Sequence, residues 1–195
     1  MEDERKCWDL RYSEGSHASV EPDPFLEFAF KEFIQPLFPA AGTAVDIAGG
    51  IGRHAIWLAR RDWRVKLADI SAVAIEKARY NAGAFRSRIQ FEVANLAKFK
   101  ASLTRRYDMV LVFFYLERKI FPELLKALRP GGLLIYKTYT ERQRESGGGP
   151  SHPMHLLRQG ELLRTFPGMD VLFYDETIRG RGVAEFVGRR CRAKS

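Results

Sequence analysis

Three glycines crowd into positions 49–52, after a short apolar run and before a second apolar pattern of different spacing. The stretch reads Ala44-Val45-Asp46-Ile47-Ala48-Gly49-Gly50-Ile51-Gly52-Arg53-His54-Ala55-Ile56-Trp57-Leu58-Ala59. It predicts a buried strand, a glycine turn and the first turns of a helix packed on a sheet. Glycines let the backbone come close to a ligand where a Cβ would collide. The free N–H groups at the helix start then face that ligand. Asp46, just before the turn, can accept hydrogen bonds from an amino or hydroxyl group. Few chains other than a doubly wound α/β protein have a use for this combination.

Two ligand classes use such a corner. Gly50-Ile51-Gly52-Arg53-His54-Ala55 fits the dinucleotide pattern G-x-G-x-x-G/A, a weak signal by itself. The chain also resembles the class I S-adenosylmethionine (SAM)-dependent methyltransferases, which carry an acid followed by G-x-G-x-G. Here the run is Asp46-Ile47-Ala48-Gly49-Gly50-Ile51-Gly52, with Ala48 in place of the first glycine, a departure that slightly crowds the cofactor. The charge of Asp46 would repel a pyrophosphate but suits the ammonium and sulfonium of SAM. The resemblance implies that Asp46, Ala48, Gly49, Gly50, Gly52 and Arg53 line the cofactor site.

Further along, 65–70 predicts a second strand ending in Asp69 and Ile70, before the helix N-cap Ser71 and a helix over 72–83 with Ile75 and Ala78 inward and Lys77 outward. Asp69 lies 17 positions after Gly52, near the spacing of a ribose-binding acid; otherwise it caps the helix. A third strand spans 89–96. In the family pattern an Asp follows this strand and accepts from the adenine amino group; here Asn95 stands there, with the Leu96 N–H beside it. An unbroken apolar run over 107–116 predicts a central parallel strand. Its end, Phe113, Phe114 and Tyr115, would offer aromatic faces to a cation and shape an acceptor pocket. A helix over 121–128 stops at Arg129-Pro130-Gly131-Gly132, a turn that again resembles the methyltransferases, and a fifth strand over 133–139 follows. Residues 140–154 read as a polar, glycine-rich, flexible loop on the substrate side, with Arg142 and Arg144 for an anionic group and His152 and His155 as bases or surface histidines. A helix over 156–166 and two strands, 171–176 and 183–187, close the chain.

The first 24 residues read as an arm or lid. Trp8-Asp9-Leu10-Arg11-Tyr12 and then Glu21-Pro22-Asp23-Pro24-Phe25-Leu26, ahead of the glycine turn, look like the small bacterial methyltransferases related to the tellurite-resistance and thiopurine methyltransferases. That resemblance carries Arg11 and Tyr12 to the substrate side. A helix over 25–38 links the arm to the first strand.

The chain has 195 residues, 46% of them hydrophobic and 29% charged, which suits one globular domain spanning 1–195. The charged start is unlike a signal peptide, and Cys7 and Cys191 make no disulfide framework and no metal spacing, so a cytoplasmic protein without metal is expected. A net charge of +8 permits nucleic acid as a partner without favouring it, because the basic residues are scattered and only the tail (Arg179, Arg181, Arg189, Arg190, Arg192, Lys194) concentrates them. The expected fold is α/β: a Rossmann-like, doubly wound, mainly parallel seven-stranded sheet with an antiparallel C-terminal hairpin strand and helices on both faces. The expected function is SAM-dependent methyl transfer to a small-molecule acceptor such as a thiol or chalcogen, releasing S-adenosylhomocysteine (SAH), by a monomer or homodimer with no membrane partner. An RNA or protein methyltransferase, and a non-catalytic SAM- or nucleotide-binding domain, are the alternatives. Arg11, Tyr12 and Tyr115 are the substrate-side candidates; no catalytic base is assigned.

Overall fold

A computed structural model describes residues 2–96, 106–146, 149–177 and 182–191. The basic residues Arg179, Arg181, Arg192 and Lys194, and Gly147 and Gly148 of the expected loop, lie outside them. The chain falls into two compact units, 1–99 and 100–195.

In the first unit, α1 (Glu2–Ser13) is followed by α2 (Pro24–Ala29), a π-helical turn over Phe30–Ile34, and α3 (Gln35–Leu37). Asp23 caps α2 through the Phe25 N–H, with Pro24 in the first helical position, where its missing N–H costs nothing. Then come β1 (Thr43–Ile47), α4 (Arg53–Ala59), β2 (Arg64–Asp69), α5 (Ala72–Ala82) and β3 (Ile89–Val93). The strands pair in parallel in the order β3-β2-β1. Val45, Ile47, Leu67 and Ala68 are buried, as strands covered on both faces require. The C-terminal ends of β1 and β2, with Ile47 opposite Ala68, leave the glycine turn and Asp69 at one edge.

In the second unit, β4 (Tyr107–Phe113), α6 (Phe121–Ala127), β5 (Leu128–Tyr139), α7 (Gln143–Ser146), α8 (Glu161–Thr165), β6 (Met169–Thr177) and β7 (Val183–Arg190) follow. Their order is β4-β5-β7-β6, with β4 and β5 parallel and β7 antiparallel to both neighbours. Among the described residues the strands number seven, and their directions match the expected mixed, Rossmann-like class.

Four local expectations change. The arm contains a full helix, α1, whose Glu2, Asp3 and Glu4 sit in the first turn and Arg11 in the last, complementing the helix dipole. The Arg129-Pro130-Gly131-Gly132 turn lies inside β5: pairing passes from Tyr107–Leu128 to Met109–Leu133, so three extra residues loop out of the ladder. Pro130 has no N–H to offer and Gly131 takes φ 83, which permits that loop. The helix expected over 156–166 shrinks to α8. Leu156 and Leu157 are instead buried, and Leu157 bridges Thr140 as a strand would. Glu161, the first residue of the short helix, accepts from the Arg158 N–H at 2.8 Å. Within the stretch 140–154, read as a polar loop, the described residues hold α7 and a buried Gln143, Arg144 donates to the Ser151 carbonyl, and His152 Nδ1 accepts from the Met154 N–H.

No helix among the described residues is long and apolar enough to cross a membrane.

Candidate cofactor site

The site grows from the end of β1. Asp46 is the penultimate residue of that strand and is fully buried. Neither carboxylate oxygen makes a hydrogen bond of normal geometry. Burial pushes its carboxyl up to about 7; the Arg53 guanidinium and the Ala55 N–H oppose the rise, and Asp69 adds to it. An unpartnered buried carboxylate is costly, so this acid fits a cationic partner supplied from outside the chain.

Past Ile47 the chain turns sharply. The Gly49 N–H donates to the Ala68 carbonyl at 3.3 Å and the Gly52 N–H to the Gly49 carbonyl at 3.0 Å. A Cβ on Gly49 would run into Leu67 and the Asp46 carboxylate. Gly50 and Gly52 have φ of 56° and 84°, which glycine adopts freely. Ala48 adopts φ 56° as well. Its substitution for glycine therefore does more than crowd the cofactor: a side chain in the left-handed region costs about 1–2 kcal/mol. Glycine's greater freedom when unfolded returns about 0.5–1 kcal/mol of that. Ala48→Gly is accordingly expected to raise unfolding free energy by up to about 1 kcal/mol and to tighten SAH binding several-fold. Denaturant titration and calorimetry would check it, and a less stable, weaker-binding variant would refute the strain.

Asp69 ends β2 and is 4% exposed. Its Oδ2 accepts from the Gly50 N–H at 2.8 Å and its Oδ1 from the Ser71 N–H at 2.9 Å. Burial raises its pKa, and the N–H groups of Ser71, Gly50 and Ile70 hold it down. Asp69 thus both starts α5 and ties the glycine turn to β2. Each oxygen keeps a second lone pair for a ribose hydroxyl. Ile70 beside it is half-buried. Asn95 and Leu96 follow β3, and the neighbouring Ala94 N–H donates to the Asp69 carbonyl at 2.8 Å. Leu96 is buried and Asn95 half-buried.

The arm reaches the same place. Tyr12 is the buried residue of α1, and a Cβ on Gly50 would lie 2.5 Å from its hydroxyl. Burial first, then Asp69, keeps the phenol protonated well above its ordinary range. Trp8 and His17 pack against its ring, with centroids 5.9 and 6.0 Å away. Arg11 points elsewhere: it is exposed, with its guanidinium 4.9 Å above the Trp8 ring. Lys77, exposed as expected, also donates to the Tyr12 carbonyl.

The other two candidates belong to the second unit. Phe113 ends β4, buried. Phe114 follows at φ 55°, its ring 5.0 Å from Tyr139 and 5.7 Å from Lys137 Nζ. The Tyr115 carbonyl accepts from the Tyr136 hydroxyl at 2.8 Å.

The residues around the turn fit SAM. The orphaned Asp46 carboxylate suits the ammonium, the Cβ-free Gly49 and Gly50 leave backbone open to it, and Asp69 suits the ribose. Asp46 would oppose a pyrophosphate, whereas Asp69 suits the ribose of either cofactor class. Among the described residues no cluster of His, Cys, Asp and Glu could hold a metal ion.

Comparisons with known proteins agree. Residues 44–132 match the family described as a methyltransferase domain. No curated protein matches the sequence. Among solved structures, one reported under "Conversion of a Disulfide Bond into a Thioacetal Group during Echinomycin Biosynthesis" is similar at TM-score 0.69 and 21% identity, covering 97% of this chain and 94% of that one. TehB from Haemophilus influenzae is similar at TM-score 0.73 and 14% identity, over 92% of this chain and 66% of that one. Magnesium protoporphyrin IX methyltransferase (ChlM) from Synechocystis PCC 6803, solved with bound SAH, is similar at TM-score 0.68 and 15% identity, over 85% and 81%. These likenesses concern the fold. The domain match spans the glycine turn, Asp69 and Asn95, so these residues lie within a methyltransferase domain of the SAM-dependent kind.

Proposed function

We propose that this methyltransferase acts on a small, soft nucleophile that arrives ionised, such as a thiolate or a chalcogen anion. The observation that carries this reading is the state of the acid–base groups at the turn. Asp46 and Asp69 point into the fold, where the cofactor would use them, and the Tyr12 phenol is held protonated by burial and by both acids. A protonated phenol can donate a hydrogen bond or shape the mouth of a site, but it cannot take a proton. An acceptor that needs no deprotonation suits such a site.

SAM, when bound, supplies a methyl group already activated by its sulfonium. The protein then has three tasks. Asp46 holds the amino acid end, Asp69 the ribose, and Asn95 with the Leu96 N–H the adenine edge. Tyr12, over Gly50, keeps water from the turn. Alignment of this kind can lower a barrier by roughly 7–11 kcal/mol without any proton transfer. The relative reported with a disulfide-to-thioacetal conversion works at sulfur, which supports a sulfur acceptor here.

SAH release should be measured with a panel of small thiols, selenols, phenols and amines. Turnover is expected with thiols and selenols, rising with the ionised fraction of the acceptor. The net charge of +8 favours a second reading, a nucleic-acid acceptor. Methyl incorporation into RNA without thiol turnover would replace the first reading with the second.

A further inference from the structure

Asp9 has no part in the site described so far, yet it holds the arm to it. Its Oδ1 accepts from the Ser71 hydroxyl at 2.6 Å and from the Val73 N–H at 3.2 Å. The Ser71 hydroxyl oxygen in turn accepts from the Ala74 N–H at 3.0 Å. Two side chains therefore cap α5 together, one from its own N-cap and one from α1, 62 residues away in sequence. The same Ser71 donates its backbone N–H to Asp69, and Asp69 takes the Gly50 N–H. Three residues after Asp9, Tyr12 lies over Gly50, with its carbonyl held by Lys77 of α5. The ring of contacts closes: Asp9, Ser71, Asp69, Gly50, Tyr12 and back along α1.

We infer that Asp9 is a positioning residue, a latch that couples docking of α1 to the geometry of the cofactor turn. The inference rests on the cofactor reading given above. Docking and cofactor binding share Asp69 and Gly50, so each stabilises the other, and the coupling is reciprocal. Sequence alone does not show this latch, because its partners come together only when α1 folds back on α5.

The geometry dictates the test. Both hydrogen bonds go to one oxygen, and asparagine keeps a carbonyl oxygen at that place, whereas alanine keeps nothing. Arg5, 4.0 Å from the other oxygen, is an exposed partner and adds little. Calorimetric titration with SAH is expected to give about 10-fold weaker binding for Asp9→Ala, the worth of one lost helix cap, and near wild-type binding for Asp9→Asn. Trypsin should cleave the arm at Arg5, Lys6 or Arg11 faster in Asp9→Ala, and SAH should protect the arm of the wild type. Equal SAH affinity in wild type and Asp9→Ala would overturn the latch, as would an Asp9→Asn variant as weak as Asp9→Ala. Failure of the wild type to bind SAH would instead count against the cofactor reading. The cleavage rates without SAH would still judge the docking, and equal rates in wild type and Asp9→Ala would overturn it.

Discussion

Asp46→Asn is expected to lose SAH binding and, at neutral pH and above, to unfold less readily than the wild type. Asp46 is fully buried and its carboxyl is pushed from 3.8 to about 7. Below pH 3.8 the acid is protonated in both folded and unfolded chains and costs nothing. Between there and pH 7 the unfolded chain ionises while the folded one stays protonated. The folded state then binds the extra proton, and stability falls by about 1.4 kcal/mol per pH unit. Above pH 7 the full penalty remains, about 4 kcal/mol at most. Asparagine has the same shape without the charge and removes this slope, though its buried amide keeps part of the cost. In the proposed site this charge meets the cofactor's ammonium, so the variant should bind SAH at least 100-fold more weakly, about 3 kcal/mol. Wild-type affinity should rise tenfold per pH unit up to about pH 7 and level off above it. Denaturant titrations at pH 5 and pH 8, with calorimetry across that range, would settle both halves. A variant that binds like the wild type, or is less stable at pH 8, would show that Asp46 holds a structural role alone.

Asp69→Ala should fail in the opposite sense. It removes the acceptor for two buried N–H groups, Gly50 and Ser71, along with the carboxylate proposed to hold the ribose. Each orphaned donor costs about 1–3 kcal/mol, so both stability and cofactor binding should fall, the latter by two orders of magnitude or more. The two acids, 23 positions apart, then have opposite effects on stability and the same effect on binding. Asp46 is an acid stored without a partner; Asp69 is an acid already in use. Calorimetry with SAH, with NAD as the control ligand, separates this from general damage. An Asp69→Ala protein of normal stability with normal SAH affinity would remove Asp69 from the site.

Which parts of this were legible beforehand follows from the range of the interactions involved. The strand, turn and helix over 43–59, the acid ending β2 and the Ser71 cap were readable because each is set by neighbours within a few residues: apolar spacing, glycine at positive φ, and a hydroxyl three residues before the N–H it takes. The antiparallel ending was readable as two short strands in a chain that otherwise alternates. Leu156 and Leu157 were misassigned to a helix because two adjacent leucines suit either period; a single bridge from Leu157 to Thr140 holds them extended instead. The loop-out in β5 was hidden because a Pro-Gly-Gly run signals a turn wherever it stands, and only pairing with β4 shows that the ladder resumes beyond it.

By itself the sequence determined the Rossmann-like class, and it pointed to the glycine turn and its two acids as the place for a cofactor. All of these rest on local chemistry written in adjacent residues. Only the tertiary structure decided that Ala48 is strained, that Asp46 is fully buried without a hydrogen bond of normal geometry, that Asp69 is already bonded, and that Asp9 and Lys77 fasten α1 over Gly50. Those facts depend on burial and on contacts between residues tens of positions apart, and no local pattern encodes the distance between them.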